Sequence, residues 1–182
     1  MAAPQQVPDP YAHSGPWTEE EFLALPVETR LELVDGALVM SPSGANAHQR
    51  LASRIWGALD TAAATGWDVL AEPNVRLGPD RVLIPDVAVI ALADMAAAIN
   101  DAADVVLVVE VVSPGNAAVD RILKPRLYAE AGIRWYLRVE QEGPVGHLHV
   151  LDDGAYRETA HGPVLELTEP CPVTLDLPRL AR

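Results

Sequence analysis

Two carboxylates in apolar surroundings carry the clearest chemical signal in the chain. Glu110 lies inside Val105-Val106-Leu107-Val108-Val109-Glu110-Val111-Val112. An unpaired carboxylate is costly to desolvate there. Either the strand ends near Glu110 and the side chain faces water, or a cation, a metal or a raised pKa compensates it. Asp86 follows Pro85 and opens Val87-Ala88-Val89-Ile90. Alone, Pro-Asp reads as a turn or cap. Together, Asp86 and Glu110 suggest adjacent strands with paired carboxylates, which repel unless protonated or bridged by a cation. Oxygen donors of this kind suit Mg²⁺ or Mn²⁺. A third acid, Glu32, sits between Leu31 and Leu33 and points away from both, so an exposed polar face is its default. Lys124 follows Glu110 by 14 positions. A strand–loop–helix return of that length lets a long Lys stem reach back over the strand end. Twelve of the 13 basic residues are Arg, so Lys124 is the one lysine. The alternative is that it survives by chance on a solvated face.

Other candidates carry less. His147 and His149 are two apart on one strand face, a metal pair without an obvious third ligand. His48 falls in the first turn of an expected helix and reads equally as a cleft residue or a surface one. Trp135-Tyr136 reads as core. Cys171 lies between two prolines with no sign of activation. The sequence has no Gly-rich phosphate loop and no Ser-His-Asp order.

Composition narrows the field. The 182 residues carry 26 acidic and 13 basic side chains, a formal net charge of −13. That argues against holding nucleic acid by a broad basic surface. Hydrophobic residues make up 49%, which excludes wholesale disorder. The length suits one domain of ~100–200 residues. We expect a flexible arm over 1–16 and a single domain over 17–182. No apolar run reaches ~18 residues, so no membrane-spanning helix is expected. The N-terminus lacks a basic start and an apolar core, so no secretory signal is expected. One cysteine excludes an internal disulfide and a multi-cysteine zinc site. A reducing cytoplasm is the expected compartment.

The elements that must position these residues follow from local pattern. Thr18-Glu19-Glu20-Glu21 predicts a capping box, with Pro26 ending the short helix. Asp35-Gly36 between apolar runs predicts a hairpin. A second capping box at Asn46-Ala47-His48-Gln49 predicts an amphipathic helix of about four to five turns carrying Leu51, Ile55 and Leu59, closed by Gly66. Strands are expected at 67–71, 75–77 and 82–90, the last interrupted by Pro85 at an edge or bulge. Val105–Val112 predicts a central strand covered on both faces and stopped by Ser113-Pro114-Gly115-Asn116. A helix is expected over 117–131, with a start or kink at Pro125 and an end at Gly132. Strands follow at 133–139, 147–151 and 155–159, with a hairpin at Asp153-Gly154. The tail from Gly162 shows only short apolar stretches and Pro-rich breaks. The order implies a mixed α/β or α+β domain.

Several of these segments, in this order, resemble the PD-(D/E)XK nuclease superfamily and, more closely, its Uma-two family. They are Glu32-Leu33-Val34-Asp35-Gly36-Ala37-Leu38, Ser41-Pro42, His48, Pro85-Asp86-Val87-Ala88-Val89 and Val109-Glu110-Val111-Val112-Ser113-Pro114. They continue with Asp120-x-x-x-Lys124-x-x-x-Tyr128 and Ala131-Gly132-Ile133 before Trp135-Tyr136. The resemblance runs from about Thr18 to the C-terminus and implies a restriction-endonuclease-like core, a mixed β-sheet flanked by helices. It implies an endonuclease acting on DNA with Mg²⁺ or Mn²⁺, and a homodimer pairing two sites on one duplex. Asp86 and Glu110 would flank the metal, with Glu32 as a further metal-binding and catalytic acid. Lys124 would be the catalytic lysine, with Tyr128 and His48 in support. The position two after Glu110 is Val112 rather than the Lys of the superfamily pattern, so Lys124 would take its place from the next helix. The alternative is an inactive binding or scaffold module that keeps the fold.

Overall fold

The computed structural model describes residues 13–25, 30–41, 44–91, 93–112 and 119–182, the side chains of Val119 and Asp120 excepted. Most of the expected arm, Pro26, Pro42, Ser113-Pro114-Gly115-Asn116 and the Asp120 side chain lie outside the described residues.

Thr18 caps helix α1 (Glu19–Leu23) as its sequence predicts. Its hydroxyl accepts from the Glu21 N–H, and the Glu21 carboxylate accepts from the Thr18 N–H. Phe22 then packs with Trp17, Leu25, Leu33 and Val82. Strands β1 (Leu31–Val34) and β2 (Ala37–Met40) form the expected hairpin. Asp35 and Gly36 both have positive φ, 51° and 78°, the two-residue turn whose twist matches paired strands.

Helix α2 (Asn46–Ala62) turns Leu51, Ile55 and Leu59 inward at every fourth position. The expected Asn46 capping box does not form. Extended Ala45 occupies the cap without a side-chain bond, and its carbonyl accepts from the Gln49 N–H. The helix therefore begins one residue earlier than its polar signal suggests. Next come β3 (Trp67–Ala71), β4 (Val75–Gly78), β5 (Arg81–Leu83) and β6 (Val87–Ala91). The run expected as one interrupted strand, 82–90, is thus two strands in different sheets. β5 pairs with β1 and β4, whereas β6 pairs with β3. Pro85, with no N–H to offer a ladder, sits in the crossing between them.

Strand β7 (Asn100–Asp101) and a short 3₁₀ turn lead to β8 (Val105–Val112). β8 lies inside the larger sheet and is buried along nearly all its length, as its β-branched run predicts. The expected helix is resolved into a π-turn at Val119–Leu123 followed by α3 (Lys124–Glu130). Pro125 stands in the first turn of α3, where its missing N–H breaks no regular bond. Gly132 closes the helix at φ 81°. Strands β9 (Trp135–Glu140), β10 (Val145–Asp152) and β11 (Ala155–Gly162) follow, the last two turning at Asp153-Gly154. The tail forms a hairpin, β12 (Val164–Leu167) and β13 (Val173–Asp176), and a closing helix α4 (Leu177–Leu180).

The strands form sheets ordered β2-β1-β5-β4-β7 and β11-β10-β9-β8-β6-β3, plus the β12-β13 pair. β8 and β9 run parallel within the larger sheet; its other pairs are antiparallel. One face of that sheet packs Val87, Val109 and Leu137 against α2 and the C-terminal hairpin. The other packs Ala88, Val108 and Tyr136 against Leu127 and Tyr128 of α3 and against Val75 and Leu83 of the smaller sheet. The fold is a mixed α+β architecture, and β8 contributes to both cores, as do its neighbours β6 and β9. Among the described residues, no helix is long and apolar enough to cross a membrane.

Candidate active site

The β6–β8 register pairs Val87 with Val109. One step outward, Asp86 stands opposite Glu110. The Asp86 Oδ2 accepts the Val111 N–H at 2.7 Å, so the carboxylate is tied to the backbone beside Glu110. The same oxygen lies 3.2 Å from Nε2 of buried His48, in the first turn of α2.

Glu110 is buried at 3% exposure. Its Oε1 accepts from the Lys124 ammonium at 3.0 Å and from the Tyr128 hydroxyl at 2.6 Å. Those donors are one helical turn apart on α3, so a single helix face delivers both. The Lys124 Nζ also lies 3.1 Å from Glu32 Oε1, which accepts the Ile84 N–H at 2.8 Å. Glu32 is therefore buried, contrary to its exposed default. β5 and its exit loop cover it, a neighbour that β1 alone does not reveal.

The electrostatics follow from this packing. One buried ammonium faces two buried carboxylates, an arrangement tolerable only where hydrogen bonds serve the remaining polar atoms. The Ile84 N–H and the Tyr128 hydroxyl add a hydrogen bond to each carboxylate, on the same Oε1 atoms that face the ammonium. Burial, then the charges of Glu110 and Glu32, push the Tyr128 phenol well above its usual range. Tyr128 is consequently a neutral hydrogen-bond donor at physiological pH.

The six sequence candidates thus fall into two linked groups. Glu32, Glu110, Lys124 and Tyr128 form one, and Asp86 with His48 forms the other; the Glu110–Val111 backbone joins them. His147 and His149 lie elsewhere. On β10–β11 they surround Glu158 with His161, at 2.8 Å from His147, 3.9 Å from His149 and 2.9 Å from His161. Tyr136 is core, as expected. Cys171 is buried, and burial raises its thiol pKa.

Sequence reasoning missed three contributors. Arg30 precedes Glu32 by two, on the same side of an extended chain. Its Nη1 donates to Glu72 Oε2 at 2.6 Å and its Nε to the Ser41 carbonyl at 3.2 Å. The i−2 spacing could have flagged Arg30. Nothing local points to Glu72, whose N–H donates to the Asp86 carbonyl at 3.1 Å. Gly44 packs so closely on the His48 ring that a Cβ there would overlap it.

Residues 19–180 match the model of Uma2, described as "Putative restriction endonuclease". The chain belongs to the Uma2 family. A crystal structure of "a putative nuclease belonging to DUF820" from Anabaena variabilis has the same fold, with a TM-score of 0.74 at 18% identity. The match covers 92% of this chain and 100% of that one. No curated protein matches. In this Uma2 chain Val112 occupies the position two after Glu110 and is buried. The ammonium that meets Glu110 comes instead from α3. Among the described residues, no group of three or more His, Cys, Asp and Glu is arranged to hold a metal ion.

Proposed function

We propose that this Uma2 chain is a metal-dependent endonuclease that hydrolyses DNA phosphodiester bonds. Asp86, Glu110 and Lys124 are its catalytic residues. The observation that carries this reading is the Lys124 ammonium, held 3.0 Å from buried Glu110 while the Asp86 carboxylate is fixed beside it by the Val111 N–H.

The donor chemistry fits a hard divalent cation. Mg²⁺ characteristically takes one or two carboxylates and keeps several waters, so it needs no three-carboxylate cage. Both contacts of the Asp86 carboxylate fall on Oδ2, and no described residue bonds to Oδ1. Asp86, Glu110 and the Val111 carbonyl would hold the ion, with Glu32 the further acid of the family resemblance. Bound Mg²⁺ or Mn²⁺ supplies an acidified water and a positive clamp on the phosphate.

The chain's own groups do the rest. Lys124 stabilises charge that develops on the phosphoryl oxygens. Glu32 keeps the ammonium in place between two carboxylates. Tyr128 donates to Glu110 and fixes its orientation. His48 steadies Asp86 from α2. DNA affinity rests on contacts near the site, because a charge of −13 provides little help from a broad basic surface. Two copies pair to address both strands of a duplex; sedimentation equilibrium showing a strict monomer would remove that element.

One observation favours a second reading. Lys124 already balances the buried acids, as it would in a non-catalytic binding or scaffold module that keeps the fold. Calorimetric titration with Mg²⁺ and Mn²⁺ separates the two. The nuclease reading predicts a site that Asp86→Asn abolishes. Absence of metal binding, even with duplex DNA present, selects the module.

A further inference from the structure

We propose that Arg30 is a DNA-binding residue, its guanidinium gripping a backbone phosphate next to the one being cleaved. The proposal rests on the nuclease reading and extends it. Arg30 stands two positions before Glu32, on the same side of the chain, so it borders the cluster around Lys124. Its side chain is 29% exposed, and two bonds direct it: Nη1 to Glu72 and Nε to the Ser41 carbonyl. No described residue bonds to Nη2. A planar guanidinium held this way keeps its Nη2 donors for a phosphate oxygen, whose geometry the fork suits.

The anchor of Arg30 is unusual. Glu72 has φ 50°, a left-handed conformation that long side chains seldom adopt. The other described non-glycine residues with positive φ are Asp35, Asp80 and Asp153, the short polar type that tolerates it. A half-exposed ion pair offsets little of that strain. What the conformation achieves is placement. The Glu72 N–H bonds the carbonyl of Asp86, while its carboxylate holds Arg30. The arginine is thereby tied by two bonds to the residue proposed to bind metal. The charges of Asp86 and Glu32 also reach the guanidinium and contribute to raising its pKa, after the larger effect of Glu72. In an acidic chain, a cation kept at the rim of an acidic site serves an anionic substrate.

The test is fluorescence anisotropy of a labelled 20-base-pair duplex in Ca²⁺ buffer across a KCl series. It compares the wild type with Arg30→Gln and Arg30→Lys. Both variants are first checked for unchanged melting by circular dichroism. Losing one phosphate contact lowers the slope of log Kd against log salt by about 0.9. Arg30→Gln is expected to show that change, with Kd raised about tenfold at moderate salt. Arg30→Lys keeps the charge and retains the wild-type slope. A wild-type slope in Arg30→Gln, whatever its affinity, overturns the proposal and leaves the nuclease reading intact. A wild type that neither binds nor cleaves duplex DNA overturns the nuclease reading itself.

Discussion

The Lys124 ammonium lies 3.0 Å from Glu110 Oε1, a buried contact spanning 14 residues of sequence. It ties the one lysine of the chain to the one acid inside the buried, valine-rich strand β8. Glu32 shares the same ammonium at 3.1 Å, so α3, β8 and β1 meet at a single charge.

That sharing makes Lys124 a stability residue as well as a proposed catalytic one. Lys124→Met leaves two buried carboxylates without their cation, at a cost of about 3–5 kcal/mol. Urea unfolding measures it. The triple variant Lys124→Met, Glu110→Met, Glu32→Leu recovers most of the loss, because an apolar cluster of similar volume needs no partner. Equal instability of the single and triple variants contradicts the ion-pair account.

Tyr128 links the site to alkaline pH. Burial raises its folded pKa above the unfolded value of about 10. The resulting stability is fully present below that unfolded value and is lost as pH rises through the folded pKa. Thermal melts from pH 8 to 12 are expected to fall steeply above pH 10 in the wild type and less steeply in Tyr128→Phe. Some slope persists in the variant, because burial raises Tyr156 too. At pH 7 the same variant loses a hydrogen bond to a carboxylate, about 1.5–3 kcal/mol. Parallel curves for the two proteins above pH 10 are the contrary result.

Gly44 governs His48. An added methyl group overlaps the imidazole, so Gly44→Ala moves the ring away from Asp86. Overpacking costs about 1–3 kcal/mol, which leaves the protein folded at 25 °C if its total stability is ordinary. The expected outcome is a folded variant with at least tenfold slower cleavage and a shifted His48 imidazole NMR resonance. Unchanged rate and resonance together show that Gly44 does not place His48.

The hairpin at Asp35-Gly36, the Thr18 box and β8 were legible because short-range chemistry decides them. Two adjacent positive-φ positions, one reciprocal cap and one unbroken β-branched run suffice. The site was legible in residue type, through an acid in an apolar strand and a lone lysine. The missed features depend on distant partners. Pro85 reads locally as an interruption, yet it marks a crossing between sheets whose pairings are made by β1, β4 and β3. Glu32 reads as exposed until β5 covers it. The C-terminal hairpin and α4 pack Leu165 and Leu177 over Gly146, a gap visible only after β10 is placed. Glu72 is set by the carbonyl of Asp86, 14 residues on, and no local pattern announces it.

The position of the lysine can be moved deliberately. Val112 shares the sheet face of Glu110 by strand alternation. Lys124→Ala with Val112→Lys creates the Glu-x-Lys spacing of the PD-(D/E)XK pattern that the sequence resembles. Cleavage by the double variant is expected to exceed that of Lys124→Ala at least tenfold. No gain, with both variants folded, argues that Lys124 does not substitute for a strand lysine.

Cleavage of supercoiled plasmid in Mg²⁺ and in Mn²⁺, followed for the wild type, Asp86→Asn and Glu110→Gln with folding verified, tests the central claim most directly. The account predicts nicked or linear product from the wild type, none in EDTA, and a loss of about 10²–10³-fold in both variants. Absence of cleavage by the wild type in either metal, or cleavage at the wild-type rate by both variants, would contradict it.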